Sequence, residues 1–578
     1  MWSYESEQAR LQELLELEIL NDEGQGIAYD DHSDTDQSDE EEDRVEQQNE
    51  NSDTEQDISD DEEMGEESPN SRLSFYGKDK VTRWRKVVSH PKTRKTRQMN
   101  IVKRLPGSSL TTRNLREPLE IWEYFFNDEI LDIIVECTNE YIESVRNNFM
   151  RKRDATPTNL IEIRAFIGVI YMAGVYHANR LNAEDLWSND GSGVEIFRLA
   201  MSLQRFRFLI RCLRFDSKET RAMRRETDKL APIRNVFDRF VANCQNGFHH
   251  SEFVTVDEML AGFRGKCSFR QYIPSKPNKY GLKILALCDA KLFYTSKMEI
   301  YVGTQPDGAY KVSNSPFDVV LRLCKHIFGS GRNITMDNWF TSIPLVKKLL
   351  DHNLTVIGTI RKNKRELPLE FSQPAERPQH TSMFGFSQGC TLVSYIPKKK
   401  KNVLLLSSMH DRDEIDSETY VNKPVMITDY NRTKGGVDTV DKLTASYNCS
   451  RNTRRWPMVV FYNLLNVAGI NSQVVYVSNN PDKKILRRRF LRQLGNDLVK
   501  PHLQVRSAMI NIPRTLKLRL QEITGMNIEP EVPQPVLPGR CAYCTSKKNR
   551  KTRFQCHRCN KYMCLEHIIG VCQECREN

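Results

Sequence analysis

Three aspartates stand out by position: Asp257 within a strand-like run, in VTVDE, Asp337 at the end of another, in ITMDN, and Asp438 just inside a helix, in GGVDTVD. Asp441 follows Asp438 by three residues and shares its helical face. Clustered carboxylates offer hard oxygen donors. Mg²⁺ takes such donors, keeps several waters and completes its shell with substrate phosphate. A pair of Mg²⁺ ions, with Mn²⁺ as the substitute, can activate a water or a 3′-hydroxyl and stabilise the departing oxygen of an in-line attack on phosphorus. Carboxylates this close also repel, so without metal their pKa values rise and the cluster takes up cations readily. Taken singly, each Asp reads as a helix cap or turn former, and Asp337, just before NWFTSIP, is a candidate N-cap. The catalytic reading rests on where the three fall in one fold.

A second constellation closes the chain. Cys541, Cys544, Cys556, Cys559, Cys564, His567, Cys572 and Cys575 form four pairs, each with two residues between its members. Eight ligands suit two tetrahedral Zn²⁺ ions, and a segment of 38 residues has little other means of stability. The interleaved arrangement, first pair with third and second with fourth, is the reading adopted; sequential pairing is the alternative and His557 a spare ligand. The loop KKNRKTR between the first two pairs is basic and suits DNA, a histone tail or nuclear import. The other eight cysteines, Cys137 to Cys449, are scattered singly in apolar contexts, as reduced, buried thiols of an intracellular protein are.

The elements that would position the acids are legible in the periodicity. FVTVDEML, YGLKILALCD and YTSKMEIYVG are three strand-type runs in succession. An amphipathic segment, PFDVVLRLCKHIF, then a strand, NITMD, a helix, IPLVKKLLDH, and a strand, LTVIGTI, follow. The order β-β-β-α-β-α-β is that of a ribonuclease-H-like fold. In that sheet the first and fourth strands are neighbours, so Asp257 and Asp337 meet, and a helix across them delivers Asp438.

The fold class expected is therefore multidomain α/β. Residues 1–117 form a disordered acidic region with a basic end, Lys78–Arg104. Residues 118–252 and 448–527 are helical and flank a catalytic core made of 253–365 and 431–447. Residues 366–430 are a β-rich insertion, and a proline-rich linker, 528–540, leads to the zinc domain, 541–578.

Charge points to the partner. Residues 1–70 hold 27 Asp/Glu against Arg10 and Arg44, while the rest holds 83 Lys/Arg against 49 Asp/Glu, a net +34. A large body with that excess calls for a polyanion, nucleic acid being the commonest. The acidic segment reads as a solubility tail, a competitor with DNA for the basic body, or a phosphorylation target at Ser33, Ser38 or Ser59. No apolar run approaches the roughly 18–20 residues of a spanning helix. The longest apolar stretch lies near Ala165–Val175, and MWSYESEQAR has no secretory pattern.

From about Pro118 to the terminus the chain resembles the piggyBac transposase family, most densely in VTVDEMLAGFRGKCSFRQYIPSKPNKYGLKIL, ITMDNWFTSIPL, TKGGVDTVD and RRWP, together with the cysteine-rich end. The resemblance implies catalytic roles for Asp257, Asp337, Asp438 and Asp441. It also implies nicking at transposon 3′ ends, a hairpin intermediate, joining to TTAA targets, and a homodimer working in the nucleus on double-stranded DNA. Arg361 and Lys364 match family residues that touch target DNA; the plain alternative is a solvated charged rim. Trp456 matches a family aromatic near the target, where it could hold open a base step; the plain alternative is a core tryptophan before a proline-started helix. The cysteine module resembles the family's terminal-repeat-binding domain.

Three rivals stand beside this reading. A domesticated, transposase-derived DNA- or chromatin-binding protein would keep the basic body but need not keep the acids. A nuclease that cuts without joining would share the carboxylates. A ring-type ubiquitin ligase would share the cysteine spacing, and would leave the acids and the +34 body unexplained.

Overall fold

A computed structural model describes residues 45–47, 56–57, 73–87, 98–372, 377–387, 389–525, 538–556 and 559–568. Most of the acidic N-terminal region, including its three candidate phosphorylation sites, and most of the linker lie outside them. The chain divides into two compact units, 1–503 and 504–578.

The first unit is built on one mixed sheet. Its centre holds β1 (Phe253–Gly262), β2 (Tyr280–Asp289), β3 (Thr295–Ile300), β4 (Asn333–Met336) and β5 (Thr355–Thr359). β1 to β3 pair antiparallel as a meander. β4 then inserts parallel to β1 on one side and β5 on the other, giving the order β3-β2-β1-β4-β5. The connections explain the switch: hairpins join antiparallel strands, whereas β3 to β4 and β4 to β5 each cross over through a helix, α1 (Pro316–Cys324) and α2 (Ile343–Asp351). Both helices start with a proline in the first turn, and Ser315 caps α1 through the Asp318 amide.

Strand alternation sorts the side chains of β1. Val254 and Val256 join a core with Leu285, Leu287, Ile334, Met336 and the apolar faces of α1 and α2. Thr255 and Asp257 therefore face the other way. On that side lie α3 (Val425–Thr433) and α4 (Gly436–Ser446). The segment 366–430 contributes β6 (Ser382–Ser387), β7 (Cys390–Tyr395) and β8 (Lys401–Ser407), which extend the same sheet beyond β5 through β8. At the far edge a hairpin, Ser74–Tyr76 with Arg83–Arg85, pairs with β6 and buries Trp84 in the main core. Part of the basic end is thus a structural element of the sheet.

The helical regions appear where the periodicity places them, in Asp128–Val145, Leu160–Val175, Leu203–Cys212 and Arg234–Gly247. Asn127, whose side chain caps the Ile130 amide, splits the first apolar run into two helices. One sequence expectation needs correction. α5 (Trp456–Asn479) is, by length and composition, apolar enough to cross a membrane. Counting uninterrupted apolar runs overlooked it because Asn463, Asn466, Asn471 and Gln473 break the run. The helix is a core element, with 94% of its most apolar stretch buried in the protein. Asn471 accepts from the Thr295 N–H at 2.9 Å and donates to the Thr295 carbonyl at 2.8 Å, tying α5 to β3.

Candidate active site and metal-binding module

Asp257 and Asp337 are brought together by register. Val256 pairs with Met336 across the parallel β1–β4 ladder, so the aspartates are the next residues on neighbouring strands, roughly 5 Å apart at the backbone. Asp337 directly follows β4, and its carboxylate accepts from the Trp339 N–H at 2.9 Å and the Phe340 N–H at 3.4 Å. It is a turn former as well as a site acid, and the turn fixes its orientation.

The helix carrying the third acid is seated by a threonine junction. The Thr255 hydroxyl donates to the Thr433 carbonyl at 2.7 Å, and the Thr335 and Thr433 hydroxyls share a 2.7 Å bond. These contacts lock the end of α3 onto β1 and β4. The chain then re-enters as α4, with Asp438 in its first turn, where the helix dipole favours negative charge. Asp441 sits one turn further on, near the β1 backbone at Leu260.

The charges in this space shift one another. Burial raises the Asp257 carboxyl well above its usual range, and Glu258, Asp337 and Asp438 add to the rise against the pull of Lys276. Burial and Glu258 lift Asp337 to about 6, against its backbone donors and Lys283. Asp441 is also raised, by burial and then by Asp438, with Lys276 opposing. Burial works against the Lys276 ammonium, yet Asp257, Asp438 and Asp441 hold its proton above the usual lysine range. The ammonium lies 2.9 Å from Asp438 Oδ1. Hard oxygen donors from the middle of a strand, a turn and a helix start, the first two disfavoured as bare anions and the third already drawing in a cation, fit a divalent metal.

Sequence reasoning missed the groups around these acids. Glu258, buried on the opposite face, lies 3.5 Å from the Lys283 ammonium, which sits 4.5 Å from the Trp339 ring centre. The available signal was the acid doublet in VTVDE and the lysine at the start of LKILALCD. Lys276 lies between two prolines in IPSKPNK, where the sequence carries no signal of a carboxylate partner.

Arg361 follows β5 and its guanidinium donates to Asn338 Oδ1 at 3.3 Å, placing it beside the Asp337 turn. Lys364 lies one turn along, its N–H donating to the Arg361 carbonyl at 3.2 Å. Trp456 is different. Its ring is 2% exposed and packs edge-on against Phe269 at 5.1 Å. A wedge between bases needs an exposed ring, and here the ring has the packing of a core tryptophan at the start of α5, the plain alternative of the two readings.

In the second unit, Cys541, Cys544, Cys564 and His567 converge, their ligand atoms all within 4.8 Å of one another. Cys544 Sγ lies 3.6 Å from Cys564 Sγ, and His567 Nδ1 lies 3.5 Å from Cys541 Sγ and 3.7 Å from Cys544 Sγ. A tetrahedral Zn²⁺ with bonds of about 2.3 Å to sulfur and about 2.0 Å to nitrogen sets edges of roughly 3.5–3.8 Å, so the set is shaped for that ion. The first and third pairs are thus together. A short hairpin, Gly539–Arg540 with Lys551–Thr552, carries the first pair. Cys556 and Cys559 stand apart from this cluster, and Cys572, Cys575 and His557 lie outside the described residues.

A large mixed sheet with carboxylates at its centre and a separate Cys₃His cluster defines a class, and comparison with known proteins agrees. The chain belongs to the transposase IS4 family, whose model matches residues 117–473. Within that family it is of the piggyBac type. The cryo-EM structure of a piggyBac transposase synaptic complex with hairpin DNA superposes with a TM-score of 0.70 at 39% identity, covering 82% of this chain and all of that one. Human PiggyBac transposable element-derived protein 3 is 24% identical over 359 residues, 59% of this chain and 58% of its own length. The human Chimeric ERCC6-PGBD3 protein matches over the same length, which is 32% of that protein. The chain thus aligns with less than two thirds of either human relative.

Proposed function

We propose that this chain is a cut-and-paste DNA transposase whose phosphoryl-transfer centre is Asp257, Asp337 and Asp438, with Asp441 in support, on a ribonuclease-H-like core. The observation that carries the reading is the β1–β4 register: it sets Asp257, within β1, beside Asp337, just past the end of β4, under a helix start that supplies the third acid. The order β3-β2-β1-β4-β5 supports the fold reading.

When bound, two Mg²⁺ ions, or Mn²⁺, would activate the attacking oxygen and stabilise the leaving one. The protein's part is to hold the carboxylates against their mutual repulsion. The Asp337 turn fixes one, the Thr433 junction fixes the helix carrying Asp438, and Glu258–Lys283 packs behind. Arg361 and Lys364, on the loop after β5, are positioned to take phosphates of the DNA being joined.

On this reading the reaction proceeds by 3′-end nicking, hairpin formation and strand transfer to TTAA sites. A homodimer in the nucleus carries it out, with two structural zincs in the C-terminal module recognising the terminal repeats. The similarity to a transposase–DNA synaptic assembly and the net +34 of residues 71–578 support DNA as the partner. The test is plasmid excision in cells, with a donor flanked by this element's own ends. Excision with clean TTAA repair by wild type, lost in Asp257→Ala, is the expected result. Ends bound but never excised by either protein would replace this reading with that of a domesticated DNA-binding protein.

A further inference from the structure

The carboxylate centre contains a cation of its own. The Lys276 ammonium lies 2.9 Å from Asp438 Oδ1 and 2.9 Å from the Glu258 carbonyl oxygen. Its side chain is 14% exposed, whereas that of Asp438 is 55% exposed, so the ammonium sits on the inner side of the pair.

The loop presenting Lys276 is pinned. The Ile273 N–H donates to the Lys279 carbonyl at 2.8 Å, Lys276 N–H to Ile273 at 3.2 Å and Lys279 N–H to Lys276 at 3.1 Å. Pro274 and Pro277 restrict the backbone on both sides of Lys276. Asn278 packs on the end of β1 so closely that a Cβ on Gly262 would lie 2.8 Å from its side-chain carbon. The backbone is held, so the mobile part is the four-carbon stem.

We propose that Lys276 is the centre's internal counter-ion: it competes with metal for Asp438 and, once displaced, binds a phosphate of the strand being cut. The inference rests on the metal-binding reading above. An oxygen that accepts from an ammonium is less available to a metal, and a divalent ion on the same carboxylate repels that ammonium. The stem then turns toward the outer side of the loop, where Pro274, Ser275, Pro277, Asn278 and Lys279 are exposed. A compact ammonium with three donors is a fitting point charge for a phosphate oxygen. Lys276 thereby keeps the acids together before the metal arrives and gives its charge to the substrate afterwards.

The experiment is Mn²⁺ binding to the full chain without DNA, read by electron paramagnetic resonance, for wild type, K276M, K276Q and K276R. D337A defines binding elsewhere in the protein. K276M and K276Q should bind Mn²⁺ about fivefold tighter or more, K276R close to wild type, because only the first two remove the competing charge. Tighter binding cannot arise from misfolding. At saturating Mg²⁺, K276M should nick an end duplex about tenfold more slowly or worse while binding that duplex within roughly twofold of wild type. Equal or weaker Mn²⁺ binding by both neutral variants, or nicking at the wild-type rate, overturns the proposal. Wild type that binds no more Mn²⁺ than D337A would remove the metal reading itself, and this inference with it.

Discussion

Gly436 lies so close to Thr255 that a Cβ on the glycine would come within 2.4 Å of the threonine hydroxyl oxygen. The same Cβ would lie 3.2 Å from the Ala290 backbone, and the Thr255 hydroxyl is already committed to Thr433. A glycine near a helix start is ordinarily a modest liability, since alanine favours the helix by roughly 0.5–1 kcal/mol. Here the sign reverses. G436A should push α4 and Asp438 away from Asp257, lowering the thermal midpoint by several degrees and nicking by about tenfold or more. Unchanged melting and unchanged nicking would show that this close approach does not position Asp438.

The Asp337 carboxyl makes the metal-free fold pH-dependent. Its folded value of about 6 lies above its ordinary value of 3.8, so the native state holds a proton that the unfolded chain releases between those pH values. The associated stability is full below about 4 and is lost as pH rises through about 6. Metal-free D337N should therefore melt above wild type at pH 7.5, by on the order of 2 kcal/mol or less, with the gap closing toward pH 5. Calorimetry in chelator across that window checks it. A gap that widened as pH fell would reverse the sign and the argument.

Zinc stoichiometry separates the pairing schemes. If Cys541, Cys544, Cys564 and His567 share an ion, C541S and C564S should each release the same single zinc, and neither should release a second beyond it. C556S should leave that ion in place. The chain's second unit alone should lose protease resistance in C564S. Loss of the same zinc in C556S as in C541S, with the double variant C541S/C564S releasing two, would point to sequential pairing.

Trp456 should behave as a core residue. W456A is expected to cost about 3–5 kcal/mol in stability, and W456F, which keeps a ring against Phe269, considerably less. Excision and target joining should then fall together, in step with the folded fraction. A W456A protein with wild-type melting and a selective defect in target joining would restore its role at the DNA.

The central strands and the pairing of Asp257 with Asp337 were readable because an acid within or just after an apolar strand run is conspicuous and the element order constrains strand adjacency. Asp438 was readable through the glycine pair before it. Lys276 was not, because a lysine in a proline-bounded loop looks like any solvated charge until its distance to Asp438 is known. Trp84 was hidden for a similar reason: it lies in a basic stretch whose composition suggests a tail. The length of α5 was obscured by asparagines, which count as polar in sequence whether or not the fold supplies them with partners.

The hairpin around Trp84 clasps a distant loop. Lys78 N–H donates to the Leu367 carbonyl at 3.1 Å, Asp79 N–H to Arg365 at 2.8 Å, and the Trp84 indole to Glu366 at 2.9 Å. Those carbonyls belong to the chain that runs on from Arg361 and Lys364. The acidic segment reaches the sheet as well, Val45–Gln47 pairing with Arg270–Tyr272 and Gln56–Asp57 with Lys401–Asn402, so shortening the protein from its N-terminus removes those pairings first and the Trp84 clasp next. A cut within the Ser74–Arg85 hairpin would unbuckle the loop that carries Arg361 and Lys364 and uncover the edge of β6, inviting the sheets of separate molecules to stack edge to edge.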